Sequence, residues 1–220
     1  MPLQLPRLYA ILDVDFVKSR NLATSDVLEA WLEAGVRLVQ LRAKGLSSGG
    51  FLTLADEAAR RVRAAGARLI INDRADIAAM AGADGVHIGQ DDLSPVAARS
   101  VVGSSRWVGL STHTDAQLEA GCREPVNYLA IGPVFATKTK GTPDPAVGLA
   151  AVSRAAARAN ESGIPLVAIG GVTVDRAAGV IAAGATAVAV ISDLLSGDPG
   201  ARATAFLAAL EPPPLDPANP

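Results

Sequence analysis

The sequence predicts an α/β fold in which eight βα units close into a single barrel. Three observations carry that expectation. One pattern recurs: a helix ends at a small residue and a glycine, and an apolar strand begins within a few residues. It reads EAGVRLVQLR from Glu33, AAGARLIIND from Ala64, AGADGVHIGQ from Ala81, ESGIPLVAIGG from Glu161 and AAGATAVAVIS from Ala182. The strands are near-continuous apolar runs, as parallel strands covered on both faces should be. The connecting loops are small and evenly spread, with one exception. An open doubly wound sheet is the alternative. Eight near-equal units favour closure, and 220 residues lies near the short end of the range for a (β/α)8 TIM barrel.

Taken in order, the apolar runs place strands at 8–12, 38–41, 69–71, 85–88, 107–110, 128–131, 166–169 and 187–190. Helical segments are expected at 25–34, 48–65, 76–81, 94–101, 115–122, 147–161 and 174–183, with a last helix at 201–210. Glycine just past a helix end suits the left-handed conformation that stops a helix. Thr173 is expected to cap the helix that follows it, and Thr114 the helix after the fifth strand. One catalytic domain is expected over 1–210. The stretch EPPPLDPANP from Glu211 is proline-rich and is expected to be disordered.

Composition narrows the function. Half of the chain is apolar and the formal net charge is −2, which gives no nucleic-acid or anionic-membrane signature. The single cysteine, Cys122, excludes an intramolecular disulfide framework. No apolar run approaches the roughly 20 residues of a membrane helix. No signal peptide is read at the start of the chain. A cytoplasmic enzyme or binding protein acting on small molecules is the expectation, and homo-oligomerisation stays open.

In a barrel of this kind the chemistry sits where the strands end. After strand 2 comes Gln40-Leu41-Arg42-Ala43-Lys44. Alternation sends Gln40, Arg42 and Lys44 to one side. An amide and two cations there suit a polyanionic ligand, and a polar side chain inside an apolar strand needs a partner. Asn72 and Asp73 follow strand 3; His87, Gln90, Asp91 and Asp92 surround the end of strand 4. Asp73 and Asp92 could share a Mg²⁺ ion together with substrate phosphate oxygens. Helix capping is the plainer reading of each aspartate alone. His87, on an apolar strand, reads as a packed, hydrogen-bonded residue. Strand 5 ends at Ser111-Thr112-His113, where Ser111 can donate to a phosphate and an acid–base role for His113 stays open.

The longest loop, 132–146, holds Thr137, Lys138, Thr139 and Lys140, a composition suited to closure over phosphates. The stretch PLVAIGGVTVDRAAGVIAAGATAVAVIS, 165–192, supplies the last two turns. Gly170-Gly171 has no side chains in the way of an anion, and free N–H groups beside a helix start make a phosphate cradle.

These motifs together resemble the thiamine-phosphate synthase family. They are QLRAKG from Gln40, NDRADIA from Asn72, DGVHIGQDD from Asp84, GLSTHT from Gly109, GPVFATKTK from Gly132, AIGGV from Ala168 and VIS from Val190. They span nearly the whole chain, one per strand end. The resemblance implies a transferase of thiamine biosynthesis. It would join the methylene of an aminopyrimidine diphosphate to a thiazole nitrogen and expel diphosphate. It implies that Gln40, Leu41, Arg42, Ala43, Lys44, Asn72, Ser111 and Lys140 surround the pyrimidine diphosphate. Arg42, Lys44, Ser111 and Lys140 would act catalytically on the leaving group. Asp73 and Asp92 would hold Mg²⁺, and Thr137, Lys138, Thr139, Gly171, Ile191 and Ser192 the thiazole phosphate. Ala43 departs from the acidic residue that many relatives carry. A related branch isomerises a thiazole carboxylate phosphate with a histidine near the position of His113. That tautomerase, and a phosphate-binding regulatory barrel without catalysis, are the alternatives.

Overall fold

A computed structural model of the chain describes residues 4–137 and 145–211. Eight parallel strands form a closed barrel in sequence order, the TIM-barrel architecture expected above. They are β1 (Leu8–Asp13), β2 (Leu38–Arg42), β3 (Arg68–Asn72), β4 (Gly85–Ile88), β5 (Trp107–Thr112), β6 (Tyr128–Ile131), β7 (Leu166–Ile169) and β8 (Ala187–Val190). β8 closes onto β1, with Tyr9 opposite Ala189. The helices outside are α1 (Val14–Ser19), α2 (Thr24–Glu33), α3 (Ser48–Ala64), α4 (Ala75–Met80), α5 (Pro95–Val102), α6 (Asp115–Gly121), α7 (Gly148–Glu161), α8 (Val174–Ala182) and α9 (Pro199–Leu210).

The repeated glycines end their helices as the pattern requires. Gly35, Gly66, Gly82, Gly163 and Gly184 all have φ between 62° and 105°. The amide beyond each reaches back into the last turn; Val36 donates to the Trp31 carbonyl at 3.0 Å and Ala67 to the Val62 carbonyl at 2.9 Å. Those bonds satisfy carbonyls that a helix end otherwise leaves open.

Three local features differ from the expectation. A short helix, α1, follows β1 directly. The Asp13 carboxylate starts it by accepting from the Phe16 amide at 3.1 Å. Only six residues long, it shows too little periodicity to read in advance. A 3-10 turn, Asp193–Leu195, follows β8. Thr173 stands at the N-cap of α8 without a side-chain capping bond. Asp193, from the β8 side, takes the Val174 amide instead at 3.1 Å, a cap that no local pattern could signal.

Strand alternation splits the core. Leu8, Leu12, Val39, Leu41 and Ala43 pack outward among the helices. Tyr9, Ile11, Leu38, Ile70, Trp107 and Tyr128 fill the barrel itself. Tyr128 needs room that Gly109 provides: a Cβ there would stand 2.0 Å from the Tyr128 Cζ. Gly109→Ala is therefore expected to cost about 2 kcal/mol or more. In a domain of this size that lowers Tm by about 5 °C or more. A thermal melt of the variant checks it; an unchanged Tm would show that the interior yields more readily than its packing implies.

Candidate active site

The C-terminal ends of the strands carry two neighbouring polar regions. The first is built by β2, β3 and β4 with the end of β1. Gln40, in the middle of β2, is 2 % exposed. The partner that its buried amide requires is Tyr9, whose hydroxyl accepts from Gln40 Nε2 at 2.8 Å. Arg42 ends the same strand on the same face and pairs with Asp13 Oδ2 at 2.7 Å. Asp13 is 4 % exposed and fixes the guanidinium while starting α1. It was not singled out from sequence, although a carboxylate closing an apolar strand was visible there.

Asp73 follows Asn72 at the end of β3 with φ 62°, a left-handed conformation uncommon outside glycine. The capping reading fails for both aspartates. Arg74 stands at the N-cap of α4, and α5 is capped by Ser94. Asp73 Oδ2 instead meets Lys44 Nζ at 3.2 Å, and its carboxyl interacts with that of Asp92. Asp92 also accepts from the Gly89 amide at 2.7 Å. Burial is the main force raising the Asp73 pKa. The hydrogen-bonding contact with Asp92 and its charge raise it further, and Lys44 opposes them. Asp13, Asp73 and Asp92 thus stand against two cations, Arg42 and Lys44. Among the described residues no three His, Cys, Asp or Glu side chains converge as a metal cluster. Two carboxylates forced together remain a hard oxygen pair of the kind that holds Mg²⁺ with waters and substrate oxygens.

The second region is a cleft of about 690 Å³ with the open solvent at its mouth included. It is lined by Ser111 near the end of β5 and His113 just after it, Thr137, Gly170-Gly171 after β7, and Ile191-Ser192 after β8. The four described members of the expected thiazole-phosphate set, Thr137, Gly171, Ile191 and Ser192, therefore meet in one place. Ser111 lines the same cleft and touches the first region through His87 Nε2, 2.8 Å away. Both glycines have positive φ, 102° and 63°. Their smallness serves the β6 loop as well as any ligand. A Cβ on Gly170 would lie 2.5 Å from Pro133 Cα, and one on Gly171 2.9 Å from the Ala136 carbonyl oxygen. Arg176 seals that contact from outside, stacking on Phe135 at 4.7 Å and donating to the Gly171 carbonyl at 3.2 Å.

Not every expected residue faces the mouth. The side chains of Leu41 and Ala43 are buried in the outer core. Only their backbone groups remain to serve a ligand, because alternation turns them opposite to Gln40 and Arg42. Asn72 is nearly buried beside the end of β4, paired in register with His87. Lys138, Thr139 and Lys140 lie outside the described residues. His87 is packed and hydrogen-bonded at both ring nitrogens, to the Tyr128 hydroxyl and to Ser111. The interior tyrosines Tyr9 and Tyr128 passed unnoticed in the sequence because aromatic residues in strands read as core. His113 Nδ1 donates to the Gly132 carbonyl at 2.7 Å, and Thr114 caps α6 as expected.

Residues 8–194 match a family model described as thiamine monophosphate synthase. A thiamine-phosphate synthase from Koribacter versatilis (strain Ellin345) is 49 % identical over 207 residues, covering 93 % of this chain and 96 % of that protein. A putative thiamine-phosphate synthase from Geobacter sulfurreducens is 40 % identical, covering 93 % and 94 %. Among solved structures, a thiamine phosphate pyrophosphorylase from Pyrococcus furiosus superposes with a TM-score of 0.82 at 24 % identity. It covers 92 % of this chain and 94 % of that one.

Proposed function

Because the chain belongs to the thiamine monophosphate synthase family, we propose that its two polar regions divide the two substrates of that reaction. The chain is a transferase that condenses 4-amino-2-methyl-5-(diphosphooxymethyl)pyrimidine with 4-methyl-5-(2-phosphooxyethyl)thiazole, giving thiamine phosphate and diphosphate. One observation carries the division. A charged cluster of Arg42, Lys44, Asp73 and Asp92 gathers at the ends of β2 to β4, and a cleft lined by Ser111, Gly171, Ile191 and Ser192 meets β4 through the Ser111–His87 hydrogen bond.

The cluster suits a diphosphate with a divalent cation. Its two carboxylates offset its two cations, so a bare polyanion gains little net attraction, whereas Mg²⁺ tips the balance toward it. Asp73 and Asp92 would hold the ion. When bound, it would offset negative charge on the departing diphosphate. Arg42, held by Asp13, Lys44 and Lys140 would take up the same charge, and Ser111 would donate a hydrogen bond to it. No side-chain nucleophile is needed. The methylene C–O bond breaks with its electron pair leaving on diphosphate. The electron-rich aminopyrimidine supports the resulting cation, and the lone pair of the thiazole nitrogen forms the new C–N bond. Gln40 and Asn72 would position the pyrimidine. Thr137, Lys138, Thr139 and the turns at Gly171 and Ile191-Ser192 would hold the thiazole phosphate, so proximity supplies much of the rate.

The purified chain is expected to release diphosphate only when both substrates and magnesium are present, as a coupled diphosphate assay would read. Release without the thiazole, or full activity after chelation, would overturn the division. His113 lines the cleft, but the curated relatives are named as synthases, so the tautomerase reading is not favoured. No helix among the described residues is long and apolar enough to cross a membrane.

A further inference from the structure

Five side chains from five strands form one hydrogen-bonded chain through the barrel. Gln40 Nε2 donates to the Tyr9 hydroxyl at 2.8 Å. The Tyr9 and Tyr128 hydroxyls are 2.9 Å apart. Tyr128 Oη lies 3.1 Å from His87 Nδ1, and His87 Nε2 lies 2.8 Å from Ser111 Oγ. Both tyrosines are at most 1 % exposed. Burial pushes both phenols far above their ordinary range, so each keeps one proton that needs an acceptor.

The first bond sets the direction of all the others. Tyr9 accepts from Gln40, so its own proton goes to Tyr128. Tyr128 then donates to His87 Nδ1. That nitrogen must be unprotonated, and the histidine proton sits on Nε2 and points at Ser111 Oγ. Ser111 therefore accepts from His87 and has its hydroxyl proton left for the cleft. With Gln40 donating, the reverse order would leave the Tyr9 proton buried without an acceptor, which is the costly way to arrange a hydrogen bond. It would also spend the Ser111 proton on His87.

We infer that His87 is a positioning residue, held as its Nε2–H tautomer by Tyr128 so that Ser111 is an obligate donor toward an anionic ligand. The same proton order leaves Gln40 with its amide oxygen as acceptor, so the polarity at Gln40 and at Ser111 is set jointly across the barrel. Tyr9 and Tyr128 transmit that order and touch no reacting atom. The inference rests on the proposed function only in naming diphosphate as the anion that Ser111 meets.

The test separates the two. The chain has two histidines, so ¹⁵N NMR of the labelled protein resolves their ring nitrogens and a His113→Gln variant assigns them. Wild-type His87 is expected as the Nε2–H tautomer. Tyr128→Phe keeps the ring that stacks on His87 with centroids 5.6 Å apart and removes the lock. In that variant the tautomers should mix. The affinity for inorganic pyrophosphate with magnesium, read by calorimetry, should fall about tenfold, the scale of one hydrogen bond to a charged group. Ser111→Ala should then weaken pyrophosphate binding less in the Tyr128→Phe background than in wild type. An Nδ1–H tautomer in the wild type would overturn the inference and needs no variant to fold. Unchanged pyrophosphate affinity in Tyr128→Phe, with the tautomer altered, would also overturn it. An Nε2–H wild type that binds no pyrophosphate would support the proton order and count against diphosphate as the anion.

Discussion

Asp92→Asn is expected to lower magnesium-dependent turnover by about 10²–10³-fold while the barrel stays folded. Asparagine can still accept the Gly89 amide bond that Asp92 holds at 2.7 Å. The change therefore removes a charge and a metal oxygen without opening the loop. A magnesium titration of activity checks it, and normal turnover at ordinary magnesium would refute the metal role. The metal-free protein offers a second reading. Asp73 has a pKa raised above its ordinary 3.8, first by burial and then by Asp92. A carboxyl raised in the folded state contributes stability that is full below the unfolded value and is lost as pH climbs through the folded one. With a chelator present, the Asp73 contribution to wild-type Tm is thus expected to decline as pH rises above 3.8. Asp92→Asn removes one cause of that decline and should flatten it. Identical pH profiles of Tm would mean that the two carboxyls do not feel each other.

Gly171→Val is expected to raise the thiazole phosphate KM at least about tenfold and to lower Tm, because one Cβ meets two obstacles. The backbone sits at φ 63°, where a β-branched residue is strained by about 1–3 kcal/mol. The added carbon also points at Phe135 Cβ, 2.8 Å away, and at the Ala136 carbonyl. Valine therefore pushes the β6 loop off the β7 turn and loosens the wall that carries Thr137. Pyrophosphate binding with magnesium, measured by calorimetry, should fall much less, since Arg42, Lys44, Asp73 and Asp92 are on strands β2 to β4 and their loops and of the diphosphate set only Lys140 comes from the β6 loop. Equal losses at both ligands would mean general unfolding, and unchanged thiazole kinetics would place the phosphate elsewhere.

The barrel was legible because its signals are local. The strands predicted at 85–88, 128–131, 166–169 and 187–190 coincide with β4, β6, β7 and β8 to the residue. Each is a short, mainly apolar run with glycine, proline or a small polar residue within two positions of either end. Errors fell where a tertiary partner decided the outcome. α1 starts because Asp13 turns back on Phe16, and α8 is capped by Asp193 from the neighbouring strand end. The resemblance places Leu41 and Ala43 at the ligand with their neighbours, although alternation alone turns their side chains away.

The sequence by itself determined the order of eight βα units, the glycines that stop the helices, and the identity of the polar residues delivered to one rim. Those features follow from periodicity and backbone preference over a few residues, and a closed parallel barrel then brings every strand end to the same face. Only the tertiary structure decided that Asp13 neutralises Arg42, that Asp73 meets Asp92, and that Gln40, Tyr9, Tyr128, His87 and Ser111 share one run of protons. Tyr9 and Tyr128 stand 119 residues apart in the chain. Contacts of that kind depend on which side chains point inward from strands that are not neighbours, and no window along the sequence contains both partners.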